Sequence, residues 1–344
     1  MYTPPLWLKN GLLMTLYMAW RAPKIWQSTV AEPEPPYQEH IFNGLNQVPI
    51  YGLSAIPKNP HGTIIGTYGI VGTLDNQWYL KILGRKAYAN GFAVVLFDWR
   101  GHGKTGELSP NLTSDGIYEG RDFVHIAAQA KAMGCPAPIW FTGYSLGGQL
   151  ALWAIKAAQN LKDWAPDLEL EPDDISGGAV ICPSLESNRS LDYLQQGILR
   201  RNLEKAIAKA LVKLAWEMHH HHPNHFDPKA IERIDGIRQF DHELVIETLG
   251  FPTVAEYYDA TSGLYLLPQL QKPTLILYAE DDPLFAPDLL PEIRHLCEQN
   301  PAIDLRMTRH GGHVGYQSSR ACQAKWQDPD PWWAWNRTLE WCAG

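Results

Sequence analysis

The sequence predicts an α/β fold in which a mainly parallel central sheet is flanked by helices and interrupted once by an inserted helical cap. Three observations carry this expectation. Short, continuously apolar runs such as Phe92 to Phe97 alternate with longer stretches of helical periodicity, as buried parallel strands and their crossovers require. From Pro138 to Ala158 the chain passes from a strand pattern through Gly143, Tyr144, Ser145, Leu146 and Gly147 into a helix pattern. Between Pro183 and about Leu270 the strand signals stop and helical patterns replace them.

Composition narrows the partners. At 344 residues and 45% hydrophobic content the chain can bury a large core. A net charge of −8 and the lack of a dense Lys/Arg cluster speak against a nucleic-acid partner. Cys135, Cys182, Cys297, Cys322 and Cys342 are scattered without C-x-x-C spacing, which suggests neither a disulfide framework nor a zinc site and fits a reducing, cytoplasmic compartment. Met1 to Trp20 carries Pro4, Pro5, Lys9 and Asn10 and lacks a small-residue cleavage site, so it does not read as a secretory signal. The apolar run Gly11 to Trp20 is about half a membrane span. It either packs against the body of the protein or, with Trp7, Tyr17, Trp20 and Trp26 beside Lys9, Arg21 and Lys24, makes a peripheral membrane contact.

The elements follow in order. After the proline-rich link Glu32 to Pro36, His40 to Ile56 alternates around Asn43 and Gly44 and reads as a β-hairpin or meander. Thr63 to Thr67 is a buried strand that runs into the glycine-punctuated loop Tyr68 to Thr73, and a helix follows from about Asn76 to Ala89. The strand Phe92 to Phe97 ends at Asp98, and a helix is expected from about Gly116 to Met133 before the Ser145 strand. Ile175 to Cys182, Leu275 to Ala279 and Ile303 to Met307 are further strands, and a Trp-rich helix from about Pro331 to Trp341 closes the chain. The organisation is an N-terminal segment 1–36, a core of 37–182 and 271–344, and a cap of 183–270.

The chemistry centres on Ser145. G-x-S-x-G arises by chance in a chain of this size, but between a strand and a helix it describes a cramped turn that lifts the serine hydroxyl clear of the backbone. That turn also puts the Leu146 amide at a helix N-terminus, where it can hold a developing oxyanion, and Ile70 after Gly69 is the candidate second donor. A serine nucleophile needs a base and an orienting carboxylate, on loops at the carboxyl ends of strands. Asp282 is the expected acid because Pro283 fixes the turn after it, with Asp281 the alternative. His313 is the expected base because Gly311 and Gly312 let the backbone fold back, while His310 reads as a polar loop residue.

Other patterns imitate known sites. Gly101, Gly103 and Gly106 spell a dinucleotide fingerprint, but Pro110 soon after argues against a helix N-terminus there for a pyrophosphate. The tract His219 to His222 with His225 reads as an exposed cap loop rather than a metal site. Arg100 and His102 either touch substrate or stabilise their loop.

These residues resemble the α/β-hydrolase superfamily, and within it the YheT-like branch of predicted esterases, over nearly the whole chain. The matching residues are Pro4 to Trp7, Asn10, Gly11 and Thr15, the elbow Gly143 to Gly148, Phe240, Asp241, Gly250, Phe251, Tyr257 and Tyr258 in the cap, and Asp281 to Pro283 with Gly311 to His313. Tyr68 departs from the histidine usual before Gly69, and Gln149 stands where asparagine is common. The resemblance implies the triad Ser145, Asp282 and His313 and the oxyanion amides of Ile70 and Leu146. That chemistry needs no metal or cofactor, and the apolar cap and aromatic content favour a hydrophobic carboxylic ester, acyl or lipid-like, of short to medium chain. The alternatives are an acyltransferase using the same triad and a non-catalytic binding protein that keeps the fold.

Overall fold

In the computed structural model, which describes residues 1–344, eight strands form one sheet in the order β1-β2-β4-β3-β5-β6-β7-β8. They are β1 (Gln38–Asn43), β2 (Pro49–Ala55), β3 (Gly62–Thr67), β4 (Phe92–Phe97), β5 (Ile139–Tyr144), β6 (Ile175–Ile181), β7 (Thr274–Ala279) and β8 (Ile303–Thr308). β2 pairs antiparallel with β1 and β4, and the remaining pairs are parallel. Burial follows that division. β3, β4 and β7 are buried along their whole length, whereas the edge strand β1 buries only Phe42.

The connection from β1 to β2 is longer than a two-residue turn, because Leu45–Gln47 winds a 3-10 turn within it. Asp122 pins that turn by accepting from the Leu45 amide at 2.8 Å. Arg100 pairs with the same carboxylate through two bonds of 2.7 and 2.8 Å and donates to Leu45 O at 3.0 Å, so its guanidinium stabilises the loop. The helix expected from Gly116 begins at Glu119. The Glu119 side chain instead accepts from the Ser114 and Gly116 amides and holds the preceding turn in a non-helical path.

Helices Glu119–Ala132 and Leu146–Gln159 pack on each other and the sheet, and Trp78–Ala89 packs with the C-terminal helix Trp333–Ala343. The cap carries its own hydrophobic cluster, with Leu211, Phe240 and Tyr257, separate from the core around the sheet. Ile70 and Leu284 pack against both clusters and mark the seam. The histidine tract is not a loop: His219–His221 form the end of the long helix Ile198–His221. Their neighbours explain the difference, since the His219 ring meets Phe226 O at 3.0 Å and the His222 ring meets Gly106 O at 2.8 Å. No group of three or more His, Cys, Asp or Glu side chains is arranged to hold a metal ion.

The N-terminal helix Gly11–Trp20 buries Gly11, Met14 and Met18 against the body, and leaves Leu13 and Trp20 exposed. No helix is long and apolar enough to cross a membrane.

Candidate active site

Ser145 joins β5 to the helix Leu146–Gln159 with φ 54° and ψ −125°. A non-glycine residue holds such dihedrals only where its surroundings over-determine them. Here the Ser145 amide donates to Ile181 O at 3.0 Å, and its carbonyl accepts from the Gly148 and Ser184 amides at 2.9 and 3.1 Å. A Cβ at Gly143 would sit 1.9 Å from Gly147 O, so the strand and helix meet too closely here for any side chain. The Leu146 amide lies among the first helical N–H groups, which have no intrahelical acceptor.

The loop after β3 lies directly against this elbow, since a Cβ on Gly69 would come within 2.9 Å of Ser145 Cβ. The amides on either side of Ile70 are occupied: Gly69 donates to the Tyr79 hydroxyl at 3.2 Å and Val71 to His102 Nε2 at 3.2 Å. The Ile70 amide has no acceptor within the protein. Tyr68 turns away from Ser145 and donates to Asp98, which also accepts from the Leu74 and Lys104 amides at 2.8 and 2.9 Å. Burial pushes the Asp98 carboxyl up to about 6 despite those donors. Burial pulls His102 down to about 4, so its ring is neutral at pH 7; with Nδ1 toward Arg100 O at 3.1 Å, Nε2 is left to accept from Val71.

Asp98 also resolves the dinucleotide-like pattern, against the expectation that no helix starts there. A short helix, Gly103–Leu108, does begin inside it, but its Lys104 amide is taken by the Asp98 carboxylate of the same chain. The place a phosphate would need is filled.

The two neighbouring acids divide their work. Asp282 is buried, accepts from the Leu284 amide at 2.9 Å through Oδ1, and receives His313 Nδ1 at 2.8 Å on Oδ2. Asp281 accepts from the Gly312 amide at 2.8 Å and faces the His310 ring at 3.4 Å, so it braces the histidine loop. His313 also packs edge-on against Phe285, their ring centroids 5.2 Å apart. Ser145 reaches the same rim across the end of β6. Its amide is bonded to Ile181 O, while the next residue, Cys182, contacts Gly312 O at 3.7 Å and the Val314 amide at 3.5 Å on either side of His313. The structure thus joins His313 to Asp282, and no direct hydrogen bond links Ser145 to His313.

Thr15, Tyr79 and Phe285 are the site residues that sequence reasoning did not single out for a role. Thr15 of the N-terminal helix accepts from the His313 amide at 2.8 Å and donates to Gly11 O at 2.8 Å. The spacing of Gly11 and Thr15, four residues apart on one helix face, was the available signal. Thr15→Val keeps the shape but leaves the His313 amide unpaired, at a cost of about 1–3 kcal/mol. The expected result is a kcat about tenfold lower with KM little changed, recovered in Thr15→Ser. Steady-state kinetics of the two variants check it.

Residues 70–323 match the model of the alpha/beta hydrolase family. The chain belongs to that family. This α/β hydrolase is similar to the protein named Putative esterase slr0264 of Synechocystis sp., with 50% identity over 345 residues covering 99% of this chain and 94% of the relative. It is 29% identical to Putative esterase YheT of Escherichia coli over 183 residues, 52% of this chain and 49% of the relative. Those relatives put it in the YheT-like esterase branch. The solved structure of the Pyrococcus furiosus esterase Pf2001 shares its fold, with a TM-score of 0.54 and 16% identity over 98% of this chain and 99% of that one.

In this α/β hydrolase Ser145, Leu146 and Ile70 open into a cavity of about 100 Å³ beneath the cap. Its lining is mostly apolar, with Leu191, Leu194, Leu211 and Leu214 from the cap. Asp115 from the body and Asp241 from the cap also line it. Burial, then the Glu119 charge, pushes the Asp115 carboxyl up to about 7, and burial with the Asp115 charge raises Asp241. The folded chain therefore binds the Asp115 proton more tightly than the unfolded chain does. This contribution to stability is full below the ordinary carboxyl range and is lost as pH rises through about 7. Tm of the wild type relative to Asp115→Asn is expected to fall between pH 5 and 8, with Glu119, Asp241, Tyr257 and Tyr258 as the neighbouring titratable groups. Thermal unfolding across that range checks it.

Proposed function

We propose that this protein is a carboxylic ester hydrolase that works through an acyl-enzyme on Ser145. The observation that carries the reading is the 2.8 Å bond from His313 Nδ1 to the buried Asp282, made at the sheet rim where Ser145 opens into an apolar cavity. With Nδ1–H committed to Asp282, His313 Nε2 is the ring nitrogen that can take a proton. As substrate fills the cavity, Nε2 closes on Ser145 Oγ, a contact that often tightens only in the substrate complex.

Ser145 Oγ then attacks the ester carbonyl carbon while its proton passes to His313 Nε2. Asp282 stabilises the imidazolium, and the Ile70 and Leu146 amides receive the negative carbonyl oxygen. Collapse of the tetrahedral intermediate breaks the bond to the alcohol oxygen, which leaves with the proton from His313. Water, deprotonated by the same ring, then attacks the acyl carbon and releases the acid and Ser145. The leucine-rich lining and small volume of the cavity favour a short to medium acyl chain.

The test is labelling with a fluorophosphonate probe followed by peptide mapping. One probe per chain on Ser145 supports the reading, and folded protein that takes no probe overturns it.

A further inference from the structure

The cap residues Asp241 and Tyr258, matched in sequence to the family, lie outside the proposed triad, yet both line the cavity. Tyr258 donates to Asp241 Oδ2. Opposite them, the Asp115 side chain accepts from the Thr113 hydroxyl at 3.2 Å, and Asp115 O accepts from Gln149 Nε2 at 2.8 Å. Gln149 lies four residues, about one turn or roughly 5–6 Å, beyond Ser145 on the elbow helix, and its side chain reaches Asp115 O.

Asp241 keeps one oxygen, Oδ1, that accepts no hydrogen bond, and the Tyr257 hydroxyl faces the Asp115 carboxyl. A separate observation comes from another cap helix. Ser190 lines the same cavity and is 4% exposed, yet its hydroxyl has no hydrogen-bond partner. No Lys or Arg lines the cavity to balance the acids. Bracing one cap segment against another would explain the Tyr258 contact. It would not explain the buried Ser190 hydroxyl left without a partner beside them, which costs on the order of 1–3 kcal/mol unless something occupies it.

We infer that Asp115, Asp241 and Ser190 form a subsite for a hydrogen-bond-donating end of the acyl chain, a hydroxyl or an ammonium group. This rests on the reading of Ser145 as the nucleophile and names the substrate class: esters of acids that are apolar along the chain and polar at the far end. Raised carboxyl pKa values leave the pair able to donate as well as accept at neutral pH, which suits a hydroxyl. An ammonium group would displace the retained proton and pair with the carboxylates directly.

Ethyl esters of straight-chain acids ending in hydroxyl, ammonium or methyl, about four to ten atoms long to bracket the reach of one helical turn, are titrated calorimetrically into Ser145→Ala protein. At one chain length a donor-ended ester is expected to bind at least about tenfold more tightly than its methyl-ended counterpart, because a built polar site rejects a ligand lacking its partner. That preference is expected to shrink to about twofold in Ser145→Ala/Asp241→Leu and to fall severalfold in the milder Ser145→Ala/Ser190→Ala. Equal or tighter binding of the methyl-ended ester at every length overturns the subsite. Turnover of the same esters, compared between wild type and Ser145→Ala, reads the nucleophile separately: a rate that survives the substitution overturns Ser145 and leaves the binding result standing.

Discussion

Replacing Ser145 with alanine is expected to lower ester turnover by about 10⁴–10⁶, the range seen when the nucleophile of a serine triad is removed. The size follows from the chemistry. Water at neutral pH is a poor nucleophile toward an ester, and without Oγ the imidazole of His313 has no acyl-enzyme to form. On the proposed reading, what remains is the polarisation of the carbonyl by the Ile70 and Leu146 amides, worth about 10²–10³ per donor. If Ser145 and His313 act as the proposed unit, His313→Ala is expected to cost about as much, and the double variant little more. The check is kcat on a nitrophenyl butyrate series with circular dichroism to verify folding. Additive losses, or turnover that survives Ser145→Ala, would reject a shared proton path. Removing Oγ also relieves no backbone strain, because alanine at φ 54° keeps a Cβ, so any gain in stability is expected to be small.

The elbow was legible in the sequence because its constraints are local. Gly143 must lack a side chain for β5 and its helix to meet, because a Cβ there would strike Gly147 O, and the chain writes that need within five residues, while Gly147 leaves room for Tyr68 O of the loop after β3. The sheet was legible for a similar reason: a strand buried on both faces, such as Phe92–Phe97, admits little but apolar residues. What escaped depends on distant contacts. The helix Gly103–Leu108 contains two glycines and stops just before Pro110, so its propensity is poor. It forms because Asp98 holds its first turn and Met218 of the cap packs over Gly106. The histidine tract was read as loop for its polarity, yet carbonyls of Phe226 and Gly106 give two of its rings partners at a helix end. The N-terminal helix was ambiguous in principle, because an apolar stripe looks the same whether a membrane or a protein covers it. The placement of Gly11, where a Cβ would meet Asp281 O at 1.7 Å, and the Thr15 bond to the His313 amide reveal that this helix is fitted to the acid and histidine loops.

Asp281 and Asp282 could not be told apart by residue type, and a pair of conservative substitutions now separates them. Asp282→Asn is expected to lower kcat by about 10⁴, with KM little changed, as the equivalent change does in a serine protease. The cause is the tautomer. An asparagine amide turned toward His313 donates to Nδ1, which moves the ring proton to Nε2 and removes the lone pair that Ser145 needs. Turning the amide the other way restores the ring but sets its NH₂ against the Leu284 amide, which now donates to Oδ1 at 2.9 Å. Neither rotamer satisfies both neighbours. Asp281→Asn faces no such conflict, because an amide oxygen can keep the Gly312 donor while its NH₂ turns to His310, so a loss of about tenfold or less is expected. Steady-state kinetics of the two variants give the ratio. If the larger loss fell on Asp281, His310 rather than His313 would become the partner to examine, and the 2.8 Å bond to Asp282 would be a brace instead of part of the proton path.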